Sequence, residues 1–269
     1  MATHPVLASI TTTSREPLGT LVARHLDTCF RRVMQGPGAQ QQPEFLRYIS
    51  GEAHPMGNLA VISDAADPRV VHDAAQPLSA CGAPAAVIFP HCVPDAAAQA
   101  VHGLGFGIEA SMPAMAVDIE RLAPTALPAA YAWARCGAGD EADDWVEALA
   151  VGYELPHRLA GVFSPRSLGA DPAPDAPMQF FAVHRDGRPV ATVTLFLDDG
   201  LAGIYCVSTV PAERRRGLGA FATAQALREA AKLGYRVGVL QSSTAGHGVY
   251  LGLGFADVGG IPMFIRNPR

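Results

Sequence analysis

Basic charge is in short supply: over 269 residues the acidic side chains outnumber Lys and Arg, the formal net charge is −5, and lysine is scarce. Without a surplus of positive charge the chain has no broad field to hold nucleic acid or an anionic bilayer, so neither is an expected partner. Long hydrophobic runs are missing as well. No stretch approaches the roughly 18–20 apolar residues that span a membrane. Met1–Ile10 lack a basic segment followed by a sustained apolar core, which predicts a soluble, cytoplasmic protein. The five cysteines, Cys29, Cys81, Cys92, Cys136 and Cys206, are an odd number without a C-x-x-C pair. That argues against a disulfide framework and a zinc site, and it favours a reducing compartment. His54, His72 and His91 have no metal-ligand spacing, so no metal is expected.

Apolar side chains make up 49% of the sequence, enough for two cores, and the length fits two domains. An internal repeat supports this. Gly103-Leu-Gly-Phe106 recurs as Gly252-Leu-Gly-Phe255, and Met112-Pro113 recurs in the same register as Ile261-Pro262. Ala85–Phe89 and Val237–Leu240 read as buried strands, each followed by a short helix, Asp95–Val101 and Gly248–Leu251. Arg47–Ser50 and Asn58–Ile62 are further strand-like runs. The two prolines of Ala123–Pro128 place the boundary there, giving domains 1–123 and 124–269. In the second half, Asp143–Val151 has helical spacing, with Trp145, Val146 and Leu149 on one face, and Leu155–Val162 continues as a second short helix. Gln179–His184 and Pro189–Phe196 flank Arg185-Asp-Gly-Arg188, a hairpin signal. A second Asp-Gly leads into the strand Ile204–Val210, and Gly217–Leu233 reads as a helix stopped by Gly234.

The segment with the clearest chemistry is Arg214-Arg-Arg-Gly-Leu-Gly-Ala220, between that strand and that helix. A helix start leaves backbone N–H groups without intrahelical partners and carries partial positive charge, so anions dock there. Gly217 and Gly219 let an anion approach the backbone, and the arginines add fixed charge. The segment is not a Walker A loop, which needs a Lys-Ser/Thr pair, and it lacks the third glycine of the dinucleotide fingerprint. No aromatics are interleaved with the arginines, as RNA binding would require. Arg214-x-x-Gly217-x-Gly219, preceded by Pro211 and followed later by Tyr250-Leu-Gly-Leu-Gly-Phe255, resembles motifs A and B of the GNAT N-acetyltransferase superfamily, R/Q-x-x-G-x-G/A and Y-x-x-x-G-F. The resemblance is good from about Gln179 to Arg266 and looser over the first half.

It implies an α/β (α+β) fold of two GNAT-like domains, each a central mixed, mostly antiparallel sheet flanked by helices. The first copy carries Asp64 and Asp67 where a cradle would sit and has no glycine pair, so it is expected to be degenerate and unable to bind CoA. In the second, the resemblance assigns the diphosphate of acetyl-CoA to Arg214, Arg215, Arg216, Gly217, Leu218, Gly219 and Ala220. Pantetheine is assigned to Val207, Ser208 and Thr209, with Ser243 where many relatives carry Asn. Acetyl-CoA is the acyl donor, without a metal. Tyr250 is the expected general acid, since a phenol with a reference pKa near 10 stays protonated at neutral pH. No carboxylate lies on Ile204–Val207, which leaves His247 as a candidate base or a plain loop residue. Cys206 reads as an apolar filler rather than a nucleophile. The proline-rich loop at Ser164-Pro165 and Asp171–Pro177 falls on the acceptor side. The expected activity is N-acetyl transfer by direct attack of a small-molecule or peptide amine, with a homodimer left open. A CoA sensor without turnover, and an acyltransferase using another acyl-CoA or a non-amine acceptor, remain as alternatives.

Overall fold

A computed structural model describes residues 16–268; the reading of Met1–Ile10 lies outside them. The chain packs as two compact units. Among the described residues, one comprises Gly19–Ala114 and Gly259–Pro268; the other comprises Glu16–Leu18 and Met115–Val258. Two strands change unit along their length. The strand β5 (Gly107–Asp118) passes between units after Ala114, and β11 (Ala256–Arg266) does so after Val258. The boundary expected between residues 123 and 124 is a single cut, whereas the compact units meet along the chain at 18/19, 114/115 and 258/259. Proline marks where regular structure stops; it carries no information on which unit a neighbouring strand joins.

In the first unit, helix α1 (Leu18–Val33) precedes β1 (Ala39–Gln41), β2 (Phe45–Ile49) and β3 (Asn58–Ile62). Helix α2 (Pro68–Ala80), β4 (Ala85–Ile88), helix α3 (Asp95–Gly103) and the start of β5 follow. The strands lie in the order β1-β2-β3-β4-β11-β5. β3 and β4 are parallel through Leu59–Val61 and Ala86–Ile88, and β11 runs antiparallel to β4. Phe45, Leu78, Phe89, Phe106 and Phe264 fill the core beneath α2 and α3.

In the second unit, β6 (Ala132–Cys136), helix α4 (Glu141–Tyr153) and helix α5 (His157–Val162) precede β7 (Met178–Arg185), β8 (Arg188–Asp198) and β9 (Leu201–Thr209). Helix α6 (Leu218–Lys232), β10 (Val237–Gln241) and helix α7 (His247–Leu253) lead into β11. The strand order is β5-β10-β9-β8-β7-β6. Both Asp-Gly pairs make the hairpin turns expected of them. Asp186 and Gly187 have φ of 51° and 79°, Asp199 and Gly200 have 47° and 74°, and two successive positive values match the twist of the flanking strands. Alanines 222, 224, 226 and 230 on α6 are fully buried, which lets the helix lie close to the sheet. Gly234, at φ 92°, follows it.

Helix α4 is fixed by one residue above all. Trp145 is fully buried, its indole N–H donates to the Phe181 carbonyl on β7 at 3.1 Å, and its ring meets Phe180 edge-on at 5.7 Å. Acidic Glu141, Asp143 and Asp144 in the first turn complement the helix dipole. Trp145→Ala removes the largest buried side chain of α4 together with its hydrogen bond to β7. Urea unfolding is expected to show a loss of about 3–5 kcal/mol.

Candidate active site

Strand β9 organises the site. It pairs with β8 antiparallel from Asp198/Leu201 to Thr194/Tyr205; the next pair is Thr192/Ser208. Cys206 and Val207 therefore oppose the single residue Val193, a bulge that bends the strand. Cys206 takes φ of 50°, a conformation uncommon for a residue with a side chain. The hydroxyl of fully buried Thr192 donates to the Cys206 carbonyl at 2.8 Å and holds the kink. On its other side β9 is paired with β10 in parallel only through Leu201–Gly203 and Val237–Val239. From Ile204 onward this edge of β9 is outside that ladder, so the two strands open into a wedge with β9 backbone groups along one wall.

The turn from β9 into α6 lies at the mouth of the wedge. Pro211–Glu213 form one 3-10 turn, Arg215 is left-handed at φ 62°, and Gly217 caps the helix at φ 77° without any side-chain cap. Phe221 N donates to Gly217 O at 2.9 Å, so the amides of Leu218, Gly219 and Ala220 lie ahead of the first intrahelical bond. The two glycines differ in what they supply. Nothing lies within 4 Å of a Cβ built on Gly217, so its requirement is the positive φ. At Gly219 the φ is ordinary and a Cβ would meet Thr209 Oγ1 and Val207 Cγ1 at 3.7 Å, a normal contact. The protein itself tolerates a methyl there.

The three arginines also divide. Arg214 donates to the Thr209 carbonyl at 3.2 Å and the Gly152 carbonyl at 2.9 Å, tying the end of α4 to the end of β9. Arg216 pairs with Glu213 at 3.1 Å. Among the described residues none pairs with the Arg215 guanidinium, which is exposed. Gly152 makes that α4 contact close, since a Cβ on it would collide with Ser208 Oγ. The Ser208 hydroxyl is spent on the Ala148 carbonyl at 3.1 Å, so its side chain faces α4, while Val207 and Thr209 face α6. Ser243 lies before α7, exposed, and its hydroxyl accepts from Gly246 N at 3.1 Å.

Tyr250 on α7 is buried, edge-on to Phe255 at 5.8 Å and packed against Gly246. Burial pushes its hydroxyl up to about 12, so the phenol keeps its proton through the physiological range. Burial likewise pushes the Cys206 thiol up to about 12, which leaves it a poor nucleophile and agrees with its reading as a filler. Tyr153, the last residue of α4, was not singled out by the sequence. It keeps 46% of its surface open, yet burial first, and then Tyr250 and Cys206, raise its hydroxyl. A side chain that lines a recess satisfies both observations. No signal in a helix-terminal tyrosine reveals this. His247 opens α7 with its Nε2 against the Asp257 carboxylate at 2.9 Å. The proline-rich loop is tied down, as Arg135 donates to the carbonyls of Asp171, Pro172 and Ala173.

No curated protein matches the chain. It is similar over most of its length to solved structures. A GCN5-related N-acetyltransferase from Kribbella flavida is 21% identical, with 92% of this chain and 96% of that one covered and a TM-score of 0.63. One from Sphaerobacter thermophilus is 15% identical, with 92% of each chain covered and a TM-score of 0.59. A tandem GNAT protein from the clavulanic acid biosynthesis pathway is 13% identical, with 88% of this chain and 85% of that one covered and a TM-score of 0.54. At these identities the likeness is one of fold, an α/β architecture of sheet and flanking helices. The sequence model of the acetyltransferase (GNAT) family matches residues 143–255, a span that holds the wedge, the turn and Tyr250. Residues 143–255 are thus similar to the GNAT acetyltransferases, a family whose members transfer an acyl group from acyl-CoA.

Proposed function

We propose that the protein is an N-acetyltransferase that moves the acetyl group of acetyl-CoA to an amine by direct attack. The observation that carries this reading is the junction of the β9/β10 wedge with the uncapped start of α6. A diphosphate fits three free amides beside guanidinium groups, and the amide-bearing pantetheine arm fits an unpaired strand edge as an added strand would. The donor contacts are then those named from the sequence: the backbone of Val207, Ser208 and Thr209, and the turn from Arg214 to Ala220. Ser243 reaches the arm with its hydroxyl hydrogen. Arg214 acts there as a brace on Thr209 and Gly152, and Arg215 is the arginine with its charge open to phosphate.

In the reaction the amine nitrogen attacks the thioester carbonyl, the C–S bond breaks, and the proton lost from nitrogen ends on the CoA sulfur. Tyr250 faces a thiolate whose ordinary pKa is about 8.5. At about 12 the phenol is the weaker acid, so it steadies the departing sulfur with a hydrogen bond rather than surrendering its proton. Glu213 is not a base, since Tyr131, Arg185 and Arg216 saturate its carboxylate and hold it ionised. His247, with Asp257 beside it, is the candidate base, a residue without a catalytic role being the other reading.

The first unit is proposed to be a degenerate copy that shapes the protein without binding CoA. Its order β3-α2-β4-α3-β5 repeats β9-α6-β10-α7-β11, with a parallel pair in the same place. At the start of α2 the Asp67 carboxylate accepts from Arg69 N at 2.9 Å and pairs with the Arg69 guanidinium. Fixed negative charge thus stands where α6 offers bare amides. β3 pairs with β2 without a register shift and stays on β4 to Val61, which leaves no wedge.

Three expectations follow. Gly219→Ala leaves the unfolding midpoint within about 0.5 kcal/mol of the parent, while its methyl obstructs the diphosphate and raises the acetyl-CoA KM about tenfold or more. Tyr250→Phe lowers kcat about 10- to 100-fold, the loss of one hydrogen bond to a charged group, with little change in donor affinity. The parent's kcat shows no alkaline fall at the ordinary phenol pKa of about 10. A screen of amines that follows free thiol tests the class of reaction. Turnover with thiols or alcohols alone would move the acceptor out of the amines, and tight CoA binding with no thiol released would favour a sensor, the reading that the carboxylate-free β9 favours.

A further inference from the structure

Glu213 is the one buried acid of the β9–α6 turn, and carboxylates stay buried only when paired. Its partners come from three parts of the second unit. Tyr131, in the segment before β6, donates its hydroxyl to Oε2 at 2.6 Å; Arg185, at the end of β7, donates to Oε1 at 2.6 Å; Arg216, within the turn, pairs at 3.1 Å. The Arg185 guanidinium also lies over the Tyr131 ring at 5.8 Å. Tyr131's hydrogen bond first, and the guanidinium groups after it, hold the carboxyl below its ordinary range, so Glu213 is ionised at neutral pH.

Arg215 sits in the left-handed region between two tethered neighbours, Arg214 on the carbonyls of Thr209 and Gly152, and Arg216 on Glu213. A non-glycine residue persists there only where its surroundings over-determine it. The Arg214 tether fixes the turn to β9 and α4. The Glu213 tether fixes it to the β7 hairpin and to the segment before β6. With both in place, the peptide planes from Arg215 to Gly217 have one orientation, and so do the amides of Leu218, Gly219 and Ala220.

We propose that Glu213 is a positioning residue for the diphosphate end of the donor: its carboxylate, gripped by Tyr131 and Arg185, holds the turn in the shape that presents the α6 amides before any ligand arrives. This rests on the acyl-CoA reading above. Glu213 touches neither the thioester nor the acceptor, so its loss is felt only by a donor that carries the diphosphate.

The test compares acetyl-CoA with S-acetylpantetheine, which has the same thioester and arm and no diphosphate. Glu213→Gln is expected to raise the acetyl-CoA KM about tenfold or more, the loss of a charged hydrogen bond, with kcat unchanged. Its kcat/KM for S-acetylpantetheine stays within about twofold of the parent, a difference too small to count as a lost contact. Tyr131→Phe removes one hydrogen bond and no charge; it shifts the acetyl-CoA KM in the same direction by about threefold to tenfold, and it decides the matter if Glu213→Gln fails to fold. An acetyl-CoA KM unchanged in both variants, or an equal loss with both donors, overturns the inference. If the parent neither binds CoA nor turns acetyl-CoA over, the proposed function fails first. If the parent does both, the variants alone decide.

Discussion

The site depends on where β9 stops being an ordinary sheet strand. Three residues hold it to β10, and two residues then face one on β8, with Thr192 holding the kinked carbonyl of Cys206. Had β9 stayed in register on both sides, its backbone groups would be consumed by the sheet and no strand edge would remain for a ligand. The kink also decides which way the following side chains face. Ser208 turns to α4 and bonds Ala148, while Val207 and Thr209 turn to the first turn of α6. The turn, the helix start and the end of α4 are then fastened around that strand end through Arg214 and Gly152.

The same succession of elements occurs in both units with opposite consequences. α2 and α6 each follow a strand that is parallel to the next one. A carboxylate at Asp67 satisfies the start of α2, and nothing but glycine caps α6. A helix start satisfied by its own side chain is a stability device, whereas one left open presents its amides to water or to an anion. The two helix starts thus differ by a few residues in one turn, on a scaffold otherwise alike in order.

Much of the second unit was legible in the sequence because its signals are local. The Asp-Gly hairpins, the glycine after α6 and the apolar face of α4 around Trp145 depend on neighbours within a few positions. Gly217 was legible for the same reason, though its part is to supply a positive φ more than an absent methyl. The bulge was not legible, because the residue that adopts the left-handed conformation is Cys206, and its cause is a hydroxyl on another strand. The separate duties of Arg214, Arg215 and Arg216 were hidden too. As a triplet they read as one patch of charge; only the positions of the Thr209, Gly152 and Glu213 oxygens distinguish a brace, an open charge and a clamped one. The course of β5 and β11 from one unit to the other left no trace in composition, since pairing partners distant in the chain are set by tertiary packing.

The central claim is that bare backbone amides at the start of α6 receive the diphosphate of an acyl-CoA. The most direct measurement is a titration of CoA into isotopically labelled protein, followed residue by residue through backbone amide resonances. The account predicts the largest shifts at Leu218, Gly219 and Ala220, with a second set along Val207–Thr209 and none at the start of α2. Saturable binding that leaves those amides where they were, or that moves Arg69 and its neighbours instead, would contradict it.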